Sequence, residues 1–143
     1  MSVRTIVGID PGGTTGLARV DASSGDLLEC AEAKTTEGIR RSLVPWCSTN
    51  GFDAIVVCED FIGGGPRNAD AIMTLKLIGF CEGVSLLCSA KFVVQQPQVR
   101  RAYVEEARRR GVAQGKFERG SVHEIDAYAH ALALRHKNGW DYG

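Results

Sequence analysis

Two carboxylates each end an apolar segment that has the composition of a buried strand. Asp10 ends the run IVGID, and Glu59 ends the run AIVVCE. A near-continuous apolar run such as AIVVC is typical of a strand covered on both faces, usually in a parallel sheet. If the two strands are parallel neighbours, both acids lie at the carboxyl edge of the sheet, where sites form in open α/β proteins.

A third carboxylate, Asp126, lies in the segment SVHEID near the carboxyl end of the sequence. Ser121 can cap a helix there, with Glu124 completing a capping box. His123 lies three residues before Asp126, so both side chains share one face of that helix.

Carboxylates that converge on one point repel each other unless a cation neutralises them. Mg²⁺ or Mn²⁺ suits ligands that are all oxygen. Two such ions about 3.5–4 Å apart can bind a phosphodiester oxygen, generate hydroxide and stabilise the leaving group. We therefore predict a metal-dependent phosphodiester-cleaving site at Asp10, Glu59 and Asp126.

Each of these residues also has an ordinary interpretation. Asp10 precedes Pro-Gly and could be a turn residue, and Asp126 could be an exposed acid on a helix. Glu124 fits the role of cap partner better than that of metal ligand. His130, one helical turn after Asp126, is interpreted as structural. The joint pattern favours catalysis more strongly than any single residue does.

The elements that must position these side chains follow from apolar periodicity and turn residues. We predict an antiparallel meander of three strands, two further parallel strands, and flanking helices, which together form a mixed α/β sheet. The predicted strands are 4–9, 17–20, 27–33, 54–59 and 91–95, and the predicted helices are 38–50, 68–88, 98–110 and 121–136. Within the helix 68–88, one stripe is predicted to be buried: Met73, Leu77, Phe80, Val84 and Leu87.

The composition indicates a globular protein and argues against several other classes. The 143 residues are 44% hydrophobic and 24% charged, which predicts one globular domain over 1–143. The formal net charge is zero, which excludes a globally basic binder of nucleic acid. No apolar run reaches the 18 residues of a membrane span, and an early acid argues against a secretory signal. Five cysteines without zinc-site spacing indicate buried thiols in a reducing cytoplasm.

One segment, residues 100–119, is locally basic. It holds seven basic and three acidic residues, which leaves a net charge of +4 in an otherwise acidic chain. Such a segment beside an acidic site could contact DNA phosphates. The alternative is a solvated helix with ion pairs between residues four apart. The candidate phosphate contacts are Arg100, Arg101, Arg108 and Lys116.

Several segments, taken in order, resemble RuvC-type Holliday-junction resolvases, which have the RNase H-like fold. IVGIDPGGTTGLARVD is similar to their first strand and hairpin, and AIVVCEDF to their second acidic strand. LKLIGFCEGVSLL resembles their long central helix, PQVRRA the segment with a basic DNA-contacting residue, and HEIDAYAHALAL the final helix. The resemblance runs from about residue 4 to residue 136.

The resemblance implies a homodimer that binds four-way DNA junctions and nicks two strands symmetrically with Mg²⁺ or Mn²⁺. Asp10, Glu59 and Asp126 match the family's acidic triad. Where the family usually has another acid, this chain has His123, with Glu124 as the fallback ligand. Arg100 occupies a position that is usually lysine. The short length favours a phage-type member, acting in the cytoplasm of a bacterium or of a phage-infected host.

The loop FIGGGPRN follows the second acid directly. In the family this region reaches the junction centre, and an aromatic such as Phe61 can stack on an unpaired base there. Arg67 is a further candidate DNA contact in the same loop. The alternative is an ordinary flexible loop with Phe61 tucked into the core.

Three other functions remain open from the sequence. IDPGGTTG is also similar to the phosphate loop of actin-like sugar kinases and ATPases, although that fold needs two such domains. A YqgF-type nuclease acting on ribosomal RNA precursors shares the opening motif and the length, but its DExxT-like middle motif is not found. The third alternative is a non-catalytic RNase H-like nucleic-acid-binding module, against which the three acids argue.

Overall fold

The structure of the protein is a computed structural model that describes residues 3–50, 53–60, 69–117 and 122–139. Within these residues three strands come first, helices and strands then alternate, and three successive helices follow where the apolar periodicity predicted two. In chain order the elements are β1 (Thr5–Asp10), β2 (Thr15–Asp21), β3 (Leu27–Ala33), α1 (Thr36–Asn50), β4 (Ala54–Glu59), α2 (Ala69–Leu87), β5 (Lys91–Gln95), α3 (Pro97–Arg101), α4 (Val104–Ala113) and α5 (Val122–Lys137).

The strands form one mixed sheet in the order β3-β2-β1-β4-β5. β1 pairs with β2, and β2 with β3, in antiparallel register, while β4 lies parallel to both β1 and β5. The predicted five-stranded mixed sheet is therefore confirmed. The β1–β2 turn is tighter than predicted, because Gly16 lies in β2 opposite Asp10 instead of in the turn.

Helices cover both faces of this sheet, which explains why β1 and β4 are apolar along nearly their whole length. On one face α5 and α4 bury Ile6, Ala18 and Val57. On the other face α1 and α2 bury Val7 and Ile9. The central strands are thus fixed between two cores, and their carboxyl ends have little freedom to move.

Two glycines allow α5 to lie directly on the sheet. A Cβ atom at Gly8 of β1 would come within 2.0 Å of the Ala127 carbonyl oxygen, and one at Gly16 of β2 within 2.0 Å of the His123 carbonyl oxygen. Both neighbours are backbone atoms of α5, which cannot move aside independently. The first turns of α5 therefore pack against backbone, and Asp126 is carried to the edge where β1 ends.

The single helix predicted over 98–110 is wrong, because the chain forms two helices there. α3 ends at Arg101, and Tyr103 adopts φ −115° and ψ −4° before α4 begins. Its ring packs on the core beside α5, with its centroid 6.0 Å from that of His136. The break between α3 and α4 thus falls where Tyr103 packs on the core.

The buried stripe predicted for α2 is also partly wrong. Leu77, Phe80 and Val84 pack against the core as expected. Met73 is 38% exposed and Leu87 is 89% exposed. The buried side of this 19-residue helix is therefore narrower than the predicted stripe, and apolar side chains near both of its ends remain exposed.

The cysteines follow the prediction of free thiols in apolar surroundings. All five are free, three of them are buried, and two are half-buried. Within the described ranges, no helix combines the length and the hydropathy needed to cross a bilayer.

We expect Gly8→Ala to lower the free energy of unfolding by about 1–3 kcal/mol, because the new methyl group must displace α5. Chemical denaturation followed by circular dichroism measures the loss. Gly13→Ala is the matched control, since a Cβ there meets no atom within 4 Å. A Gly8→Ala protein as stable as Gly13→Ala would contradict the close packing of α5 on β1.

Candidate active site

The three predicted carboxylates meet at the carboxyl edge of the two central parallel strands. Asp10 is the last residue of β1, and Glu59 is the last residue of the neighbouring β4. Asp126 reaches the same edge from the second turn of α5. Asp10 and Asp126 are buried, with 8% and 9% of their surfaces exposed. Sequence reasoning therefore identified three acids that the fold does bring together.

One guanidinium group bridges two of these carboxylates. Arg100 of α3 donates from Nε to Glu59 Oε1 at 2.6 Å, and its Nη1 lies 3.4 Å from Asp126 Oδ1. The Arg100 side chain is 24% exposed, so it closes the solvent side of the cluster. The position predicted as a phosphate contact thus carries an ion pair with the acidic cluster.

A histidine from the core contacts the same carboxylate oxygen. His130 Nε2 lies 2.9 Å from Glu59 Oε1, and the imidazole is completely buried. Gln95, the last residue of β5, places its Nε2 atom 2.8 Å from His130 Nδ1. The sequence interpretation of His130 as merely structural missed this contact. The available signal was its position one turn after Asp126, on the same face of the helix.

The first turn of α5 carries both candidates for the fourth residue of the site, His123 and Glu124. His123 Nδ1 lies 3.6 Å from Asp10 Oδ2, and the imidazole is partly open to solvent. Glu124 instead interacts with the thiol of Cys30 on β3, away from Asp10. Of the two candidates named from the sequence, His123 is the one beside the acidic cluster.

The carboxylates differ sharply in how readily they ionise. Burial, with the negative charges of Glu59 and Asp126, raises the pKa of Asp10 to about 8. Burial also raises the pKa of Asp126, although the Arg100 cation opposes it. Burial alone would raise the pKa of Glu59, but hydrogen bonds from His130 and Arg100 outweigh it and hold that pKa at about 2.

A divalent cation fits the chemistry of this donor set. Asp10 lies close enough to Glu59 and Asp126 for their charges to raise its pKa, and carboxylate oxygens are the ligands Mg²⁺ prefers. Across the described ranges, no three His, Cys, Asp or Glu side chains already stand in an arrangement that could hold a metal ion. Arg100 already neutralises two of the acids, so a metal ion would have to replace it there.

The other predicted phosphate contacts, Arg101, Arg108 and Lys116, lie in different parts of the structure. Arg101 ends α3 beside Arg100 and is exposed. Arg108, on α4, is partly exposed and pairs with Glu105 one turn earlier. Lys116 lines a groove of about 690 Å³ between β3 and α1, and none of the three acids lines this groove. Among the predicted phosphate contacts in the described ranges, only Arg100 contacts the acidic cluster.

Part of the basic segment is structural. Arg110 donates to the carbonyl oxygens of Gly25 and Ser24, and Arg135 of α5 donates to those of Ala22 and Ser23. Both arginines therefore fix the β2–β3 turn, where Gly25 has φ +78°. The charge of Arg110 is used inside the fold, which weakens the case for a continuous basic track. Phe61 and Arg67, the loop candidates, lie outside the described residues.

Comparison with known proteins relates this fold to two groups of solved structures. No protein-family model and no curated protein matches the sequence. Thermus thermophilus RuvC in complex with a Holliday junction substrate aligns with TM-score 0.74 and 18% identity, over 94% of this chain and 95% of that one. A second Thermus thermophilus RuvC structure aligns with TM-score 0.62 and 20% identity, over 94% and 96%.

A viral protein shares the architecture as well. The Fowlpox virus resolvase, solved with its substrate Holliday junction DNA, aligns with TM-score 0.61 and 14% identity, over 92% of this chain and 99% of that one. Because the alignments cover nearly the whole of each chain, the sheet order and the flanking helices are shared throughout. The chain therefore has the RNase H-like fold that the sequence resemblance implied.

The raised pKa of Asp10 predicts how stability depends on pH without metal. The folded protein holds this proton up to about pH 8, whereas the unfolded chain releases it near pH 3.8, so folding loses stability as the pH rises between these values. The lowered pKa of Glu59 has the opposite effect, because it makes the folded protein more stable as the pH rises, but only between about pH 2 and pH 4.5. In EDTA we expect the melting temperature to fall from about pH 5.5 to about pH 8.5.

The matched variant is Asp10→Asn, which cannot ionise. We expect it to flatten this slope and to melt above the wild type at about pH 8.5. Mg²⁺ should raise the wild-type melting temperature most at that pH, since a cation offsets the repulsion. Identical slopes for the two proteins in EDTA would show that Asp10 does not titrate as described.

Proposed function

We propose that this protein is a metal-dependent endonuclease that cleaves branched DNA, with four-way junctions as its main substrate and Mg²⁺ or Mn²⁺ as its cofactor. The observation that carries the proposal is the convergence of Asp10, Glu59 and Asp126 at one sheet edge. The shared fold supports it, since two structural neighbours were solved with Holliday junction DNA.

Each acidic side chain has a separate part in this proposal. Asp10 and Glu59 would hold the cations from the ends of their strands, Asp126 would complete the carboxylate ligands from α5, and His123 would offer a ring nitrogen beside Asp10. When bound, the cations supply Lewis acidity toward the scissile phosphate and neutralise the clustered carboxylates. Asp10 must lose its proton to take part, which the neighbouring positive charge favours.

Arg100 has a double role in the proposal. It pairs with Glu59 and Asp126 in the absence of metal, and its guanidinium is partly open to solvent. Once it leaves these carboxylates, Arg100 could turn toward a DNA phosphate, to which a guanidinium can donate two parallel hydrogen bonds. Arg101 and Arg108, both exposed, would extend this phosphate contact along α3 and α4.

We propose a homodimer that meets through α2. Ile72, Leu75 and Leu86 are 44%, 44% and 58% exposed and lie on the face of α2 opposite the buried Cys81. Gly79 lies between them on that face, and a Cβ there would meet nothing within 4 Å. An uncovered apolar stripe with a small residue at its centre suits a second copy of the same helix. Two active sites in one particle suit symmetric nicking of a junction.

The compartment that fits this function is the cytoplasm of a bacterium or of a phage-infected cell. The five free cysteines support a reducing environment, because paired thiols are typical of oxidising compartments. Cellular DNA substrates are present in the same place.

The cleavage assay uses a labelled four-way junction, a plain duplex and a structured RNA, each with Mg²⁺ or with EDTA. We expect the junction to be cut in Mg²⁺ only, and the duplex to be cut far more slowly. Asp10→Asn should bind the junction about as tightly as the wild type does and cut it at least about 100-fold more slowly, because a two-cation site loses one anionic ligand.

The other outcomes of this assay separate the competing functions. Cleavage of RNA alone would favour an RNA-processing nuclease, and junction binding without any cleavage would favour a binding module. Normal cutting by Asp10→Asn would remove Asp10 from the site.

The dimer is tested by light scattering at micromolar concentration. We expect a particle of twice the 15.4 kDa chain mass for the wild type and a monomer for Leu86→Glu, which places a charge on the apolar stripe. Val112→Glu is the matched control, since Val112 of α4 is 55% exposed and lies outside the stripe. A wild-type monomer, or a Leu86→Glu dimer, would contradict assembly through α2.

A further inference from the structure

His130 is completely buried, yet both nitrogens of its ring have polar partners. Nδ1 faces the amide nitrogen of Gln95 at 2.8 Å, and Nε2 faces Glu59 Oε1 at 2.9 Å. A continuous chain of contacts therefore runs from the end of β5, through α5, to the end of β4. Any buried imidazole needs polar partners, and here one of them is a carboxylate of the acidic cluster.

The Gln95 amide determines which ring nitrogen carries the hydrogen. Its Nε2 atom lies 2.8 Å from His130 Nδ1 and also 3.1 Å from the His130 carbonyl oxygen. An NH₂ group has two hydrogens and can donate to both acceptors. Turning the amide over would place its oxygen against that carbonyl oxygen with no hydrogen between them. Nδ1 is therefore the acceptor, and Nε2 donates its hydrogen to Glu59 Oε1.

We propose that His130, oriented by Gln95, is the positioning residue for Glu59, and that its hydrogen bond fixes the Glu59 carboxylate for binding of a divalent cation. The proposal rests on the proposed function for the identity of the site. His130 does not touch the reacting atoms in this scheme and acts only through Glu59. Partners that orient a metal-binding carboxylate or histidine in this way commonly contribute 10–100-fold to metal affinity.

Burial distinguishes His130 from the other donor to the same oxygen. Arg100 also donates to Glu59 Oε1, but its side chain is 24% exposed and can be replaced from solvent. His130 is held inside the core by the body of α5, and its neighbours along the helix are buried as well. Its contact with Glu59 can therefore persist when Arg100 leaves, which is what a positioning role requires.

The test compares His130→Gln and His130→Leu by calorimetric titration with Mn²⁺ in the absence of DNA. The glutamine amide can reach Glu59 and donate one hydrogen bond, whereas leucine fills the space without a donor. We expect Leu to weaken Mn²⁺ binding about 10–100-fold and Gln to retain most of the affinity. His136→Leu, on the exposed last turn of α5, is the matched control and should bind Mn²⁺ like the wild type.

Melting temperatures in EDTA separate positioning from packing. If His130→Leu is less stable but binds Mn²⁺ as tightly as the wild type, His130 is only a packing residue and the proposal is wrong. Equal losses of affinity in the Gln and Leu variants would also overturn it, because the donor would then be irrelevant. If the Leu variant does not fold, His130→Asn replaces it, since its amide is too short to reach Glu59.

Junction cleavage by the same proteins keeps the two proposals apart. A wild type that binds Mn²⁺, loses affinity in His130→Leu and cuts no junction would retain the positioning role and overturn the proposed function. If the wild type cuts junctions but His130→Leu leaves the Mn²⁺ affinity unchanged, the proposed function stands and the positioning role of His130 is wrong. A wild type that binds no Mn²⁺ would overturn both.

Discussion

The repulsion between three carboxylates at one sheet edge is the constraint to which the rest of the site responds. Asp10, Glu59 and Asp126 come from three separate elements, and each is largely withdrawn from solvent. Without a cation, such a cluster cannot be fully ionised. The fold responds in two ways: Glu59 stays charged through its contacts with Arg100 and His130, and Asp10 retains its proton up to about pH 8.

Backbone spacing, more than side-chain attraction, sets where the third acid lies. α5 approaches β1 and β2 so closely that Gly8 and Gly16 have no room for a Cβ atom. The alanines of α5 on the buried side serve the same purpose, since a large side chain would lift the helix away from the sheet. Lifting α5 from the sheet at this contact would carry Asp126 away from Asp10. The geometry of the site therefore depends on residues that have no chemistry of their own.

The sequence predicted those parts of the site that depend on local pattern. The apolar runs ending in Asp10 and Glu59 have the signature of buried parallel strands, so their meeting at one edge follows from the fold class. What local pattern could not predict depends on contacts between distant segments. The break before α4 lies where Tyr103 packs beside the distant helix α5, and the exposed side chains of α2 depend on which of its residues the assembled core covers. His130 gained its role only once β4, β5 and α5 were assembled.

His130 and Arg100 both contact Glu59, one from the core and the other from the solvent side. His130 approaches from the core, where no solvent can compete for its hydrogen bond. Arg100 approaches from the solvent side and spans two carboxylates, with Nε on Glu59 and Nη1 near Asp126. A lysine ammonium is a single point of charge and lacks the rigid fork that lets a guanidinium address two acids from separate nitrogens. Arginine at this position therefore suits a group that neutralises two carboxylates at once, because each of its contacts can be made or given up separately.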